Sequence, residues 1–181
     1  MMDSFPIAGA LERAYPTPSL HLDYEKLPDV IEITGRLAES IDPWWKAKVP
    51  RNLLNPRSAE YFSRERQKRY NMPLDQLEKE LGTEDRWVEA KPIAEALGAI
   101  LKASGGPYYK RSTRKSRHSE LRVTQRLIWI YIASYADFVT VGFLHCVKRI
   151  DESVFERLFS LEPELKKLYD ACGKWLERDD H

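Results

Sequence analysis

The stretch SYADFVTVGFLHCV, residues 134–147, limits the fold more than any other part of the chain. Ser134, with Asp137 three residues on, has the form of a helix N-capping box. In such a box the serine hydroxyl takes an amide of the first turn while the acid reaches back to the serine amide. An apolar run follows at once, with Phe138, Val139, Val141, Gly142, Phe143 and Cys146 leaving no wide polar face. A helix that is apolar nearly all round belongs in the middle of a bundle. The spacing therefore predicts a central buried helix that starts at Ser134.

The remaining segments also carry helical periods. Asp3-Ser4 is an N-cap signal with Pro6 in the first turn, and Ile7, Leu11 and Ala14 recur at helical spacing. Residues 15–29, with Pro16, Pro18 and Pro28, read as an extended connector. A helix is expected over 29–47, ending at Trp44-Trp45, followed by a break at Val49-Pro50. Asn55-Pro56 opens a basic, polar helix that reads as a solvated outer face. Thr83 opens another, with Trp87, Ile93, Leu97, Ile100 and Leu101 on one face, an expected kink at Pro92 and a stop at Gly105-Gly106-Pro107. A short amphipathic helix over 151–159 precedes a last one from Pro163, with Leu165, Leu168, Tyr169, Cys172, Trp175 and Leu176 on a stripe. No β-alternation of any length appears, so the predicted fold class is all-α.

Charge narrows the partners. The net +1 conceals an asymmetry: residues 110–126 hold seven Lys/Arg against Glu120, a local +6, which leaves −5 for everything else. An acidic body with one basic segment is not a general polyanion binder. Binding to nucleic acid or an anionic membrane through 110–126 is argued by that segment and opposed by the remainder. Two cysteines suit a reduced compartment, the opening MMDSFPIAG has no signal-peptide form, and LIWIYIA is too short to span a bilayer. A cytoplasmic protein without a membrane span is expected. The four histidines are scattered with no metal-ligand spacing, and no Gly-rich phosphate loop or nucleophile elbow is present, so no metal is expected.

Three stretches carry a resemblance. MMDSFPIAGALERAYPTPSLHLD looks like the end of the thioredoxin-like domain of a glutathione transferase. WWKAKVPRNLLNPRSAEYFSRERQKRYNMPLDQLE resembles the start of the second domain in fungal transferases related to the bacterial β-etherases. The segment from SYADF to WLERDD is similar to the rest of that helical domain, whose central helix opens with an S-x-x-D box. The resemblance implies a transferase C-terminal-type helical bundle, preceded by the last helix of a thioredoxin-like domain. Residues 1–24 would be the remnant of the glutathione-binding domain and its linker, and 25–181 the helical domain.

Function follows as implication. Asp3 and Ser4 would hold the γ-glutamyl end of glutathione, the co-substrate: the serine hydroxyl and helix N-terminal amides take the carboxylate, the acid the ammonium. Trp44 and Trp45 would contact an aromatic electrophile, and Arg51, with Arg57 near it, an anionic one. Ser134 and Asp137 are structural. The resemblance implies conjugation of glutathione to an electrophilic small molecule, or ether cleavage, in fungal secondary metabolism or detoxification, and it allows a homodimer. Two departures accompany it. Most of the thioredoxin-like domain, including the residue that stabilises the thiolate, is expected to be absent from this chain. GGPYY and SYADF, nearly adjacent in the family, are separated by a basic insert at about 110–132 that reads as a translated intron or recent insertion. A non-catalytic interaction or dimerisation module is the alternative.

Overall fold

The computed structural model describes residues 4–110 and 133–177. Asp3 and the basic run after Lys110 lie outside the described residues.

Among the described residues the chain is all-α, and its centre is the helix that the capping box announces. That helix, α8 (Tyr135–Ile150), buries Ala136, Asp137, Thr140, Val141, Leu144, Val147 and Ile150 along one stripe. Earlier in the chain, α1 (Ser4–Ala14) is followed by α2 (Leu27–Ser40) and the one-turn helices α3 (Asp42–Lys46) and α4 (Val49–Asn52). Then come α5 (Pro56–Tyr70), α6 (Leu74–Leu81) and the long α7 (Glu84–Ser104). After α8, α9 (Glu152–Leu161) and α10 (Pro163–Ala171) lead to a 3-10 turn at Gly173–Trp175. The core is the junction of α2, α7 and α8, where Val30, Leu37, Ala90, Ala94, Leu97 and Leu144 are fully buried. α9 and α10 close it from the other side through Leu158, Leu165 and Leu168.

The structure differs from the sequence reading at several places. The helix expected over 29–47 breaks at Ile41, because Pro43 sits in the first turn of α3, where its missing N–H is tolerated. α6 is not anticipated, although Leu74, Leu77 and Leu81 after Pro73 have helical spacing; Leu74 and Leu77 are buried. α8 is not covered all round: Gly142 is exposed, and Phe138, Val139, Phe143 and Cys146 are only half-buried. The last stripe ends early, since the 3-10 turn leaves Trp175 exposed, with Phe138 edge-on to its ring at 5.2 Å. The Asn55 and Gly105 signals hold, whereas the break expected at Val49-Pro50 falls earlier, at Ala47-Lys48, because Val49-Pro50 opens α4. Asn55 accepts from the Ser58 amide at 3.0 Å, α5 has no buried residue, and Gly105 ends α7 at φ 71°.

One carboxylate holds the centre. The capping box is formed, and its tight bonds are those to Asp137, which is itself fully buried. Asp137 Oδ2 accepts from the Ser134 amide at 2.6 Å and from its hydroxyl at 2.7 Å, while Oδ1 accepts from the Tyr109 amide at 2.8 Å. Burial pushes the carboxyl above its ordinary value, against the pull of these donors. Tyr109 is locked as well: its carbonyl accepts from Tyr24 Oη at 3.0 Å, and its hydroxyl accepts from Thr140, which meets Thr34 of α2 at 3.1 Å. Tyr109 and Ser134 therefore meet at a single carboxylate.

Smaller clamps fix the periphery. Asp151 caps α9 through the Ser153 and Val154 amides and takes Lys48 Nζ at 2.5 Å, and Lys48 also meets Glu78 at 2.9 Å. Burial would raise the Asp151 carboxyl, but Lys48, Ser153 and Val154 together hold it below its ordinary value. Gly98 of α7 faces the buried Glu162 that caps α10; a Cβ there would stand 2.2 Å from Glu162 Cδ.

Three outcomes are expected. Asp137→Ala strands two buried amides and should lower stability by about 3–5 kcal/mol in urea denaturation; a loss under about 1 kcal/mol contradicts the role given to it. Replacing 111–132 by a short Gly-Ser linker should leave the urea midpoint unchanged or slightly raised, because loop length enters closure entropy only logarithmically. Because the folded Asp151 value is depressed, its contribution is full above the ordinary 3.8 and is lost as pH falls through that value toward the folded one. Asp151→Asn keeps the cap but not the charge, so the stability gap between wild type and variant should shrink from pH 7 to pH 3 (about four decades across the carboxylate range).

Candidate functional site

α1 stands at the edge of the bundle, and it positions the one sequence-predicted binding residue at this end that is described. Ser4 opens α1 and is exposed. Only Ala8 of this helix is buried. What ties α1 down is polar: Glu12 accepts from Ser19 Oγ at 2.5 Å and from the Leu20 amide at 2.7 Å, which holds its carboxyl below the ordinary value. Leu20 in turn accepts from the Tyr135 amide at 2.8 Å, and Phe5 meets the Tyr135 ring edge-on at 5.9 Å. The start of α1 is thereby fastened to the start of α8.

Between α1, the connector and α2 runs an apolar groove of about 520 Å³. Phe5, Leu22, Tyr24, Leu27, Pro28 and Ile31 line it together with the acids Asp23, Glu25 and Glu32. Phe5 is the residue after Ser4, so the groove begins beside the exposed N-terminus of α1. Burial raises the Tyr24 phenol above its ordinary value, and its hydrogen is already donated to Tyr109 O. Tyr24 is thus a wall of the groove and not a free hydroxyl donor.

The other predicted residues lie elsewhere. Trp44 is half-buried against the core, its ring 5.9 Å from that of Trp87, with Arg157 over both. Trp45 donates its indole N–H to Ala38 O at 3.3 Å, under the ammonium of Lys46. Arg51 is exposed and lines a separate cleft of about 530 Å³ between α4, α5 and α6, together with Ser63, Gln67, Asp75 and Glu78. Neither tryptophan borders that cleft or the groove at Ser4. The groove residues were missed in sequence because Leu22 and Tyr24 sit in a proline-marked connector with no period, and Leu27 and Pro28, which open α2, read as the connector's continuation. Ile31 is the exception, lying on α2 where the buried stripe of Leu27, Val30, Thr34 and Leu37 leaves it outside.

The chain's own thiols are poor nucleophiles. Burial raises Cys146 and pushes Cys172 up to about 12, which keeps both protonated near neutrality. Among the described residues no cluster of His, Cys, Asp and Glu could hold a metal, and no described helix is long and apolar enough to cross a membrane.

Comparison with known proteins supplies the frame for this geometry. Residues 38–175 match the family described as Glutathione S-transferase, C-terminal domain. The Glutathione S-transferase-like protein ustS of Aspergillus flavus is 26% identical over 181 residues. That similarity covers 98% of this chain and 61% of the relative's own length. The all-helical core, the buried S-x-x-D box at its centre and the match over most of the chain agree: this protein belongs to the family of glutathione S-transferase C-terminal domains.

Proposed function

We propose that this chain forms the electrophile side of a glutathione transferase that acts on a small apolar molecule. The observation that carries the reading is the apolar groove beside Ser4. Asp3 would accept from the γ-glutamyl ammonium of glutathione, while Ser4 and the first amides of α1 donate to its carboxylate. The electrophile would lie on Phe5, Tyr24 and Ile31, in preference to Trp44, Trp45 and Arg51. The glutathione sulfur forms a bond to the electrophilic carbon, a halide or aryl oxide leaves with the bonding pair, and the thiol proton passes to solvent. The setting we favour is fungal secondary metabolism or detoxification in the cytoplasm; the relative's organism supports the fungal part alone.

A thiol with an ordinary pKa of about 8.5 needs a donor at sulfur to react at neutral pH. We assign that donor to a thioredoxin-like unit packed on α1, with residues 1–24 as the end of that unit and its linker and 25–181 as the helical domain. An uncovered apolar stripe supports this: Ile7 and Leu11 on α1 and Tyr15 just past its end are 59%, 50% and 72% exposed. The same stripe favours the second reading, a non-catalytic module that docks or dimerises through α1; a monomer by light scattering counts against it. Binding of polyanions through 110–126 finds less support, since Lys110 is already paired with Asp23 at 3.2 Å.

Retention on immobilised glutathione and conjugation of a dinitrohalobenzene are the expected results. Ser4→Ala should weaken glutathione binding on the order of tenfold, the worth of one hydrogen bond to a charged group. Absence of binding at millimolar glutathione would remove the catalytic reading.

A further inference from the structure

The groove beside Ser4 has a chemical bias beyond its being apolar. Its floor and walls are aliphatic and aromatic, but every charged residue that borders it is an acid: Asp23, Glu25 and Glu32. Asp23 is offset by Lys110 at 3.2 Å. Glu25 and Glu32 have no cationic partner among the described residues. Lys26, next to Glu25, is engaged by Asp29 at 3.2 Å, and Arg36, one turn beyond Glu32 on α2, forms no ion pair with it. Among the described residues, two carboxylates without a cationic partner therefore line an otherwise apolar slot.

The walls act in the same direction. Phe5 and Tyr24 present aromatic rings, and a ring face carries negative charge density that attracts a cation within about 6 Å. An anion in this slot would lose its hydration, face the ring quadrupoles and be repelled by both carboxylates. A cation with an apolar body would bury that body on Leu22, Leu27 and Ile31 and keep its charge beside Glu25 and Glu32. Charge and shape thus select the same kind of guest, and it is the opposite of the anionic substrate that Arg51 suggests.

We propose that the groove takes small hydrophobic cations, aromatic molecules carrying an ammonium group, ahead of neutral analogues and further ahead of anionic ones. The proposal rests on the reading of this groove as the electrophile site and adds the substrate class.

The test is calorimetric titration of the full 181-residue chain with three probes on one skeleton: (naphthylmethyl)trimethylammonium, naphthylmethanol and naphthylmethanesulfonate. The ammonium should bind about tenfold tighter than the sulfonate, with the alcohol between them, and added salt should narrow the gap. Glu25→Gln combined with Glu32→Gln should bring the ratio near one. Ile31→Trp fills the slot at a position already 38% exposed, so folding is spared, and it should abolish binding of all three. Equal affinities in the wild type, or a ratio that survives the double substitution, overturn the charge selection. In either case, loss of binding in Ile31→Trp still leaves the groove as the site. If Ile31→Trp changes nothing, or no probe binds, the groove reading and the substrate class fall together.

Discussion

The Asp137 carboxylate is the point at which the architecture is decided, because it joins three chain segments that nothing in the sequence brings near one another. It fixes the first residue of α8, accepts the Tyr109 amide from the end of the α7 side, and through Tyr109 reaches Tyr24 at the mouth of the groove. A buried carboxylate surrounded by N–H and O–H donors is strongly specific, since no apolar residue satisfies those donors and no basic residue fits among them. The α2–α8 crossing carries the same logic in neutral form, with Thr34 and Thr140 paired in the core. These polar contacts set the register, and the aliphatic stripes of α2, α7 and α8 supply the burial.

Much of this was legible beforehand. Ser134 and Asp137 announce a helix start whatever surrounds them, because capping is a local interaction within four residues. The Asn55 cap and the Gly105 stop are local in the same sense. The reading failed where tertiary geometry decides. Pro43 splits a continuous helical period into α2 and α3, and Trp44 packs its ring against Trp87. The partial exposure of α8 depends on how much of its far side the neighbours cover, and hydrophobicity alone does not encode that. The groove escaped notice for a related reason: its walls come from the start of α1, a proline-marked connector and the first turns of α2, which share no period.

The position of the groove links fold to chemistry. Its parts are held by the network that starts at Asp137: Tyr24 by the Tyr109 carbonyl, Phe5 by the Tyr135 ring, and the connector by the Leu20 carbonyl. A surface site made from a connector is ordinarily soft, yet here each wall has a bond or ring contact into the core. That suits a recognition surface with a defined charge pattern.

The meeting of Tyr109 and Ser134 at one carboxylate has a consequence for how the molecule could be taken apart. A break between them yields two pieces, neither of which can close the core alone: α2 and α7 lie in one, α8 to α10 in the other. Each carries half of a complementary apolar surface, and the buried acid of the second piece waits for an amide of the first. Such halves have the makings of a fragment-complementation pair, in which reassembly is reported by the recovery of helical structure, and the acceptor that caps a helix in the intact chain becomes the lock between two polypeptides.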